Sequence, residues 1–343
     1  MTLVQLPEKP IDCKNLIAGE WRDATSKERT DIFSPYTGKV VGTVPMSSKQ
    51  DVDMAVAAAR EAAVKWRAVP LKERTQTLFR FRELVLEHIE QLSQLAALEC
   101  GKTVDEARAG VMKGVEVIEY GLSLQNLDQG GVLEVSRGVT CEVRREPLGV
   151  VAGITPLNFP AMVPMWLYPI AITIGNAFIL KPSEKVPLAA EYSGKLMIEA
   201  GYPPGVFTIL NGGRETVEAL VDHPDVAAIG FVGSTTIAKA VYARATGEGK
   251  RALCLGGAKN HLIVVPDADE DVTVDGVTRS FTGCAGQRCM AASLMIAVGK
   301  ADHLIDAIVE RAGQMQLGRD LSLIHIRRFR RSPLCRSRCS PHP

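Results

Sequence analysis

The pattern of apolar and polar positions changes character near residue 148. Before it come short apolar runs, Asn15 to Trp21 and then Phe33 to Gly38 leading into Val40-Val41, which predict short strands and turns. Helical spacing follows. The alanine-rich run Val52 to Trp66, with Asp51 as its expected cap, predicts one helix. Leu71 to Cys100 predicts helical structure from Leu78, Phe81, Leu84, Val85, Ile89, Leu92 and Leu95, and Val104 to Asn126 is another amphipathic stretch. Gly130-Gly131 then opens Val132 to Pro147, whose alternating Val139, Cys141 and Val143 read as a hairpin.

From Leu148 the chain alternates apolar strands with helices. Val150 to Ile154, Phe178 to Leu180, Val206 to Leu210 and Ala227 to Val232 predict buried strands; Leu188 to Ala200, Glu215 to Asp222 and Thr235 to Ala245 predict the helices between them. This is a βαβ series, an α/β fold with a parallel sheet, whose ligands belong at the carboxyl ends of the strands. A strand at His261 to Val265 and a helix from about Asp271 lead into the segment Phe281 to Ala291. No charge occurs between Pro147 and Leu180, which is the length of a membrane span. Pro156, Pro160, Pro164, Pro169 and Gly175-Asn176 interrupt it, so a strand, a turn, a buried helix and a second strand are expected instead, and no membrane association.

The 343 residues suffice for two domains, and 46% hydrophobic with 23% charged residues is ordinary for a globular protein. The net charge of +1 hides an asymmetry. Six arginines and no acid follow Leu321; without them 34 basic residues face 39 acidic ones, so the body carries −5 and no nucleic-acid partner is expected. Residues 321–343 also lose all periodicity. They read either as a basic arm for RNA or phospholipid or, as we favour, as a non-native tail of out-of-frame or adaptor-derived sequence. Eight scattered cysteines fit neither a disulfide framework nor a metal pattern and suit a reducing compartment. With no apolar leader and no arginine-rich transit pattern at the start, a cytoplasmic location is expected.

The chemistry gathers around Phe281-Thr-Gly-Cys-Ala-Gly-Gln-Arg-Cys-Met-Ala291. Cys289 stands beside Arg288, a cation able to favour thiolate, among glycines that leave room for a substrate; the alternative is a buried structural cysteine. Asn158, in Thr155-Pro-Leu-Asn-Phe-Pro160, follows a strand and is either an oxyanion donor or a turn asparagine. Lys181 and Glu184, in Lys181-Pro-Ser-Glu-Lys185, match ribose recognition, the acid favouring a free 2′-OH, or else form a solvated charge pair. Gly233-Ser234-Thr235 joins a strand to a helix and suits a pyrophosphate, or is simply an N-cap. Leu253 to His261 contains Gly256-Gly257-Ala-Lys-Asn-His261, and no GxGxxG fingerprint occurs.

In this order and spacing the motifs resemble the aldehyde dehydrogenase superfamily from about Asn15 to Gly318. ITPLNFPAMVPMW, GGAKNH and CAGQRCMA resemble its CoA-acylating methylmalonate-semialdehyde dehydrogenases. The resemblance implies Cys289 as nucleophile, Asn158 and the Cys289 backbone N–H as oxyanion donors, and Lys181, Glu184 and Ser234 on NAD, with further cofactor contacts from Thr155, Leu157 and Lys185. It implies a Cys289 thioester taken by coenzyme A, and loss of carbon dioxide from methylmalonate or malonate semialdehyde. It also implies a homo-oligomer. The matching division is a discontinuous NAD-binding domain at 1–130 and 148–253, an oligomerisation hairpin at 131–147 and a partial catalytic domain at 254–320.

There are departures from the family pattern. Of two arginines for the substrate carboxylate, Arg288 matches one; Lys113 occupies the other position and lacks the bidentate fork. Cys254 stands where hydrolytic members carry a glutamate base before the Gly-Gly turn. The later catalytic domain, with a glutamate for the nicotinamide ribose, is missing, so this chain is expected to be poorly soluble or inactive. The rival readings are a hydrolytic aldehyde dehydrogenase of other substrate range, a cysteine hydrolase using a base such as His261, and an inactive nucleotide-binding remnant.

Overall fold

The computed structural model describes residues 6–127 and 130–315; the expected non-native tail lies outside them. A seven-stranded sheet forms the centre, in the order Arg251–Leu255, Val226–Val232, Val150–Ile154, Ala177–Lys181, Phe207–Ile209, Asn15–Ile17 and Glu20–Arg22. The first five strands are mutually parallel, and the N-terminal pair adds antiparallel at one edge. Val150–Ile154 and Ala177–Lys181 are buried at every position, which explains their unbroken apolar runs.

Side chains alternate between the two faces of each strand. Val151, Phe178 and Leu180 join a core with Leu78, Phe81 and Tyr168, while Val150, Ala152, Ala177 and Ile179 join another with Val52, Val56 and Val241. Helices therefore cover both sides. The chain runs from Val150–Ile154 outward through Ala177–Lys181 to Phe207–Ile209, then crosses back to add Val226–Val232 and Arg251–Leu255 on the opposite flank. Strand order reverses between Val150–Ile154 and Val226–Val232, so a crevice opens beyond their carboxyl ends.

Several expectations need correction. Asp51 is not the cap of the Lys49–Arg67 helix: Ser48 takes that place, and Asp51, in the first turn, accepts the Ser48 N–H at 2.9 Å. The stretch to Cys100 divides at His88 into Leu71–Glu87 and Ile89–Cys100, where the His88 ring meets the Tyr192 hydroxyl at 2.8 Å. Strands at Arg251–Leu255 and Ala292–Ala297 were not foreseen; both carry short apolar runs but are partly exposed, unlike the fully buried central strands. The uncharged stretch contains the helices Met162–Met165 and Tyr168–Thr173 between its strands. Among the described residues no helix is long and apolar enough to cross a membrane.

Among the described residues three smaller sheets stand apart from the main one, the first made of Ile11–Asp12, Val40–Pro45 and Arg29–Phe33. Gly131–Ser136 and Val139–Val143 form the hairpin, exposed at every position. Asn260–Val264 pairs in parallel with Ala292–Ala297. The helices Glu270–Thr282 and Asp302–Gly313 pack there around a separate cluster that includes Val264, Val277, Leu304 and Ile308.

Candidate active site

The crevice at the strand-order reversal holds a cavity of about 540 Å³. Thr155, Leu157 and Asn158 line it from the end of Val150–Ile154, Lys181 and Glu184 from the end of Ala177–Lys181, and Ser234 from the end of Val226–Val232. Thr155 is fixed by its N–H, which donates to the Lys181 carbonyl at 3.1 Å. The Lys181 ammonium, 4% exposed as a residue, sits 3.1 Å from the Glu184 carboxylate. Burial lowers the Lys181 pKa, and Glu184 only partly offsets this. Burial pushes the Glu184 carboxyl up, but the Lys181 charge and hydrogen bonds to its carboxylate hold it below the ordinary value.

Ser234 occupies the N-cap position of Thr235–Gly247, yet its side chain makes no capping hydrogen bond, so the hydroxyl is left to the crevice. The Thr235 hydroxyl instead accepts the Gly257 N–H at 2.9 Å and draws the Gly256-Gly257 turn across the helix start. Lys185 does not join this group. It is exposed and lines a neighbouring hollow with Asp31 and Val186.

Cys289 is half-buried in a turn between the tight Gly283–Gly286 coil and the strand Ala292–Ala297. Cys284 and Ala285 hold left-handed φ values of 52° and 56°, each costing about 1–2 kcal/mol for a residue with a Cβ. Side chains from outside hold this backbone in place. Glu106 accepts the Cys284 N–H at 2.7 Å, and Asn260 of the Gly-Gly-Ala-Lys-Asn-His motif donates to the Cys289 carbonyl at 2.7 Å and to that of Ala291 at 3.0 Å. The Asn158 amide donates to the Gln287 carbonyl at 2.8 Å, while its buried Oδ1 has no hydrogen-bond partner among the described residues.

A second cavity of about 270 Å³ is walled by Phe159, Met162, Trp166 and Met290 and carries Arg288, Lys113 and Glu106. Among the described residues only Cys289 lines both cavities. The Arg288 guanidinium lies against Gly283, where an added Cβ would approach Nη1 to 2.6 Å; a glycine there is what lets the arginine fold back. Lys113 is paired with Glu116 at 2.8 Å, so both cations face one space, and of the two only Lys113 forms an ion pair among the described residues. Among the described residues no histidine lines either cavity, and His261 is exposed. Cys254 packs against the main sheet's second core, lines neither cavity, and has its pKa raised by burial.

Sequence reasoning missed Lys102, Glu106 and the Gln287 carbonyl. Thr103 and Glu106 form a reciprocal pair at the helix start, Thr103 N–H to Oε2 at 3.1 Å and Glu106 N–H to the Thr103 hydroxyl at 3.2 Å. That signal is legible as a capping box; the second carboxylate oxygen on the cysteine loop is not.

Comparison with known proteins identifies the family. The aldehyde dehydrogenase family profile matches residues 21–325. Malonate-semialdehyde dehydrogenase 2 of Geobacillus thermodenitrificans is 45% identical over 310 residues, covering 90% of this chain and 64% of that protein. A Sinorhizobium meliloti structure described as a methylmalonate-semialdehyde dehydrogenase complexed with NAD superposes with a TM-score of 0.89 at 40% identity, over 91% of this chain and 64% of that one. The methylmalonate-semialdehyde dehydrogenase of Oceanimonas doudoroffii gives 0.88 at 39% identity, over 90% and 64%. The chain thus spans about 64% of the length of these relatives. By its sequence, its fold and the motifs around Cys289, this chain belongs to the aldehyde dehydrogenase family.

Proposed function

We propose that the chain carries the nucleophile and cofactor crevice of an NAD-dependent, CoA-acylating dehydrogenase acting on a carboxylated semialdehyde, malonate or methylmalonate semialdehyde. The observation that carries the reading is the place of Cys289, shared by a cavity with cationic side chains and a crevice with the Lys181–Glu184 pair. The names of the similar proteins support the substrate class.

The crevice fits a dinucleotide. It lies at the strand-order reversal, its helix start has an uncommitted Ser234 hydroxyl, and Glu184 is held ionised beside Lys181. Lys181 and Glu184 would hold ribose hydroxyls, Ser234 and the Thr235–Gly247 helix start the pyrophosphate, and Thr155 and Leu157 the wall. When bound, NAD supplies the hydride acceptor that turns a thiohemiacetal into a thioester.

The remaining steps belong to the chain's own groups. Cys289 sulfur attacks the aldehyde carbon, and the carbonyl electron pair moves onto oxygen. One Asn158 N–H is held by Gln287; the other, with the Cys289 backbone N–H, meets that oxygen. Arg288 holds the substrate carboxylate, assisted by Lys113. The β-carboxylate leaves the Cys289 acyl group as carbon dioxide, its electron pair passing to the thioester enolate, whose α-carbon takes a proton from water. The thiolate of coenzyme A, its proton lost to solvent, then attacks the thioester carbon and the Cys289 thiolate leaves, giving acetyl-CoA or propanoyl-CoA. Cys254 lacks a basic group and lines neither cavity, which disfavours the hydrolytic alternative. The division into a cofactor domain at 1–130 and 148–253 and a partial catalytic domain at 254–320 belongs to this reading. So does a homo-oligomer joined through the exposed hairpin at 131–147.

The test is rapid mixing of a chain extended to its relatives' length with NAD and malonate semialdehyde. One NADH per site in a burst, slow turnover without coenzyme A and fast turnover with it are expected. Rapid steady release of free acid without coenzyme A would overturn the reading.

A further inference from the structure

At the end of the Ile89–Cys100 helix, Gly101 turns the chain with a left-handed φ of 74° and delivers Lys102 into the interior, where the residue is 3% exposed. Among the described residues no carboxylate forms an ion pair with it. Its Nζ donates instead to the Asn158 carbonyl and stands 3.8 Å from the centre of the Phe159 ring. The same turn makes two further attachments: the Cys100 thiol donates to the Leu157 carbonyl at 2.8 Å, and the Tyr36 hydroxyl donates to the Lys102 carbonyl. Leu157, Asn158 and Phe159 are thus each gripped by one short turn remote in sequence.

A buried ammonium is costly unless its charge is answered, and among the described residues its direct contacts are one carbonyl and one ring face. Both belong to the segment that carries the Asn158 amide. From the other side that amide is tied, among the described residues, to the Gln287 carbonyl, two residues before Cys289. We infer that Lys102 is a positioning residue, fixing the Asn158 backbone so that its side-chain amide stays aimed at Cys289. The inference rests on the reading of Cys289 as an acyl-accepting nucleophile. Lys102 lines neither cavity and touches no reacting atom.

The test uses a chain extended to its relatives' length and its variants Lys102→Met, Lys102→Arg and Asn158→Ala. Hydrogen exchange of residues 155–160 should quicken about tenfold in Lys102→Met, with the 226–232 strand unchanged, and Lys102→Arg should restore most of the protection. Acylation of Cys289 by p-nitrophenyl acetate should fall about tenfold or more in Lys102→Met. Added to Asn158→Ala, the same change should cost almost nothing further, because both act through one amide. Unchanged exchange at 155–160, or losses that simply multiply in the double variant, would overturn the assignment. Should Lys102→Met fail to fold, Lys102→Gln carries the same comparison. If the unmodified chain is not acylated at Cys289, the nucleophile reading fails, and exchange at 155–160 alone judges Lys102.

Discussion

The Asn158 amide nitrogen lies 2.8 Å from the Gln287 carbonyl oxygen, joining the loop after the Val150–Ile154 strand to the loop that presents Cys289. Residues 129 apart in sequence are thereby set at one point, and the contact makes Asn158 a structural tie in addition to its proposed role as oxyanion donor. Asn158→Ala should lower Cys289 acylation about 100- to 1000-fold, the usual effect of losing one such donor. Alkylation by iodoacetamide, which develops no oxyanion, should change far less. Equal losses in the two rates would show that the variant has displaced Cys289 rather than removed a donor.

Cofactor choice follows from Glu184. Its carboxyl is held below the ordinary value, so it stays ionised near neutrality; in the proposed role it would accept a 2′-hydroxyl and repel a 2′-phosphate. Glu184→Gln should narrow the preference for NAD over NADP by about tenfold, measured as a ratio of dissociation constants. Equal binding of both by the unmodified protein would refute the role.

Charge in the second cavity can be read with two alkylating agents of similar size. Iodoacetate is an anion and iodoacetamide is neutral. Arg288→Ala should reduce the iodoacetate-to-iodoacetamide rate ratio at Cys289 about twofold to fivefold, the range for an exposed cation. Lys113→Ala should move it less, because Glu116 stands 2.8 Å from that ammonium. The reverse ranking would transfer carboxylate recognition to Lys113.

The sheet was legible because both faces of its central strands are buried, leaving continuous apolar runs at Val150–Ile154 and Ala177–Lys181. Its chemistry was legible because the strand ends concentrate unusual residues in short motifs: Thr155 to Asn158, Lys181 to Glu184, Ser234 and Cys289 all reach the crevice. Other features depend on partners far along the chain. Apolar spacing runs unbroken from Leu84 to Ile89, so nothing local marks the division at His88. Lys185 follows directly on Glu184 in sequence, yet the loop turns it outward. Gly101-Lys102 reads as an ordinary helix end with a solvated cation; only the folded chain puts Asn158 and Phe159 over it.

The last expectation concerns Glu99, the buried acid at the start of that same turn. Its two oxygens accept the Leu188 N–H at 2.7 Å and the Ala189 N–H at 3.0 Å, anchoring the first turn of the Leu188–Glu199 helix just beyond the Lys181–Lys185 motif. Burial pushes its pKa up to about 8, against the two N–H groups and Lys102, which favour the anion, and with Glu191, which opposes it. The folded protein then holds a proton that the unfolded chain has released above its ordinary value of 4.5. The stabilisation is complete below that value and is lost as pH rises toward 8. Thermal midpoints should therefore decline across this window, on top of contributions from other groups. Glu99→Gln carries no titrating proton, so it should flatten the decline, although its amide can accept only one of the two N–H groups and its midpoint should be lower at pH 5. A slope from pH 5 to 8 identical in the two proteins would show that Glu99 is already ionised at the lower pH, with the helix N–H groups outweighing burial.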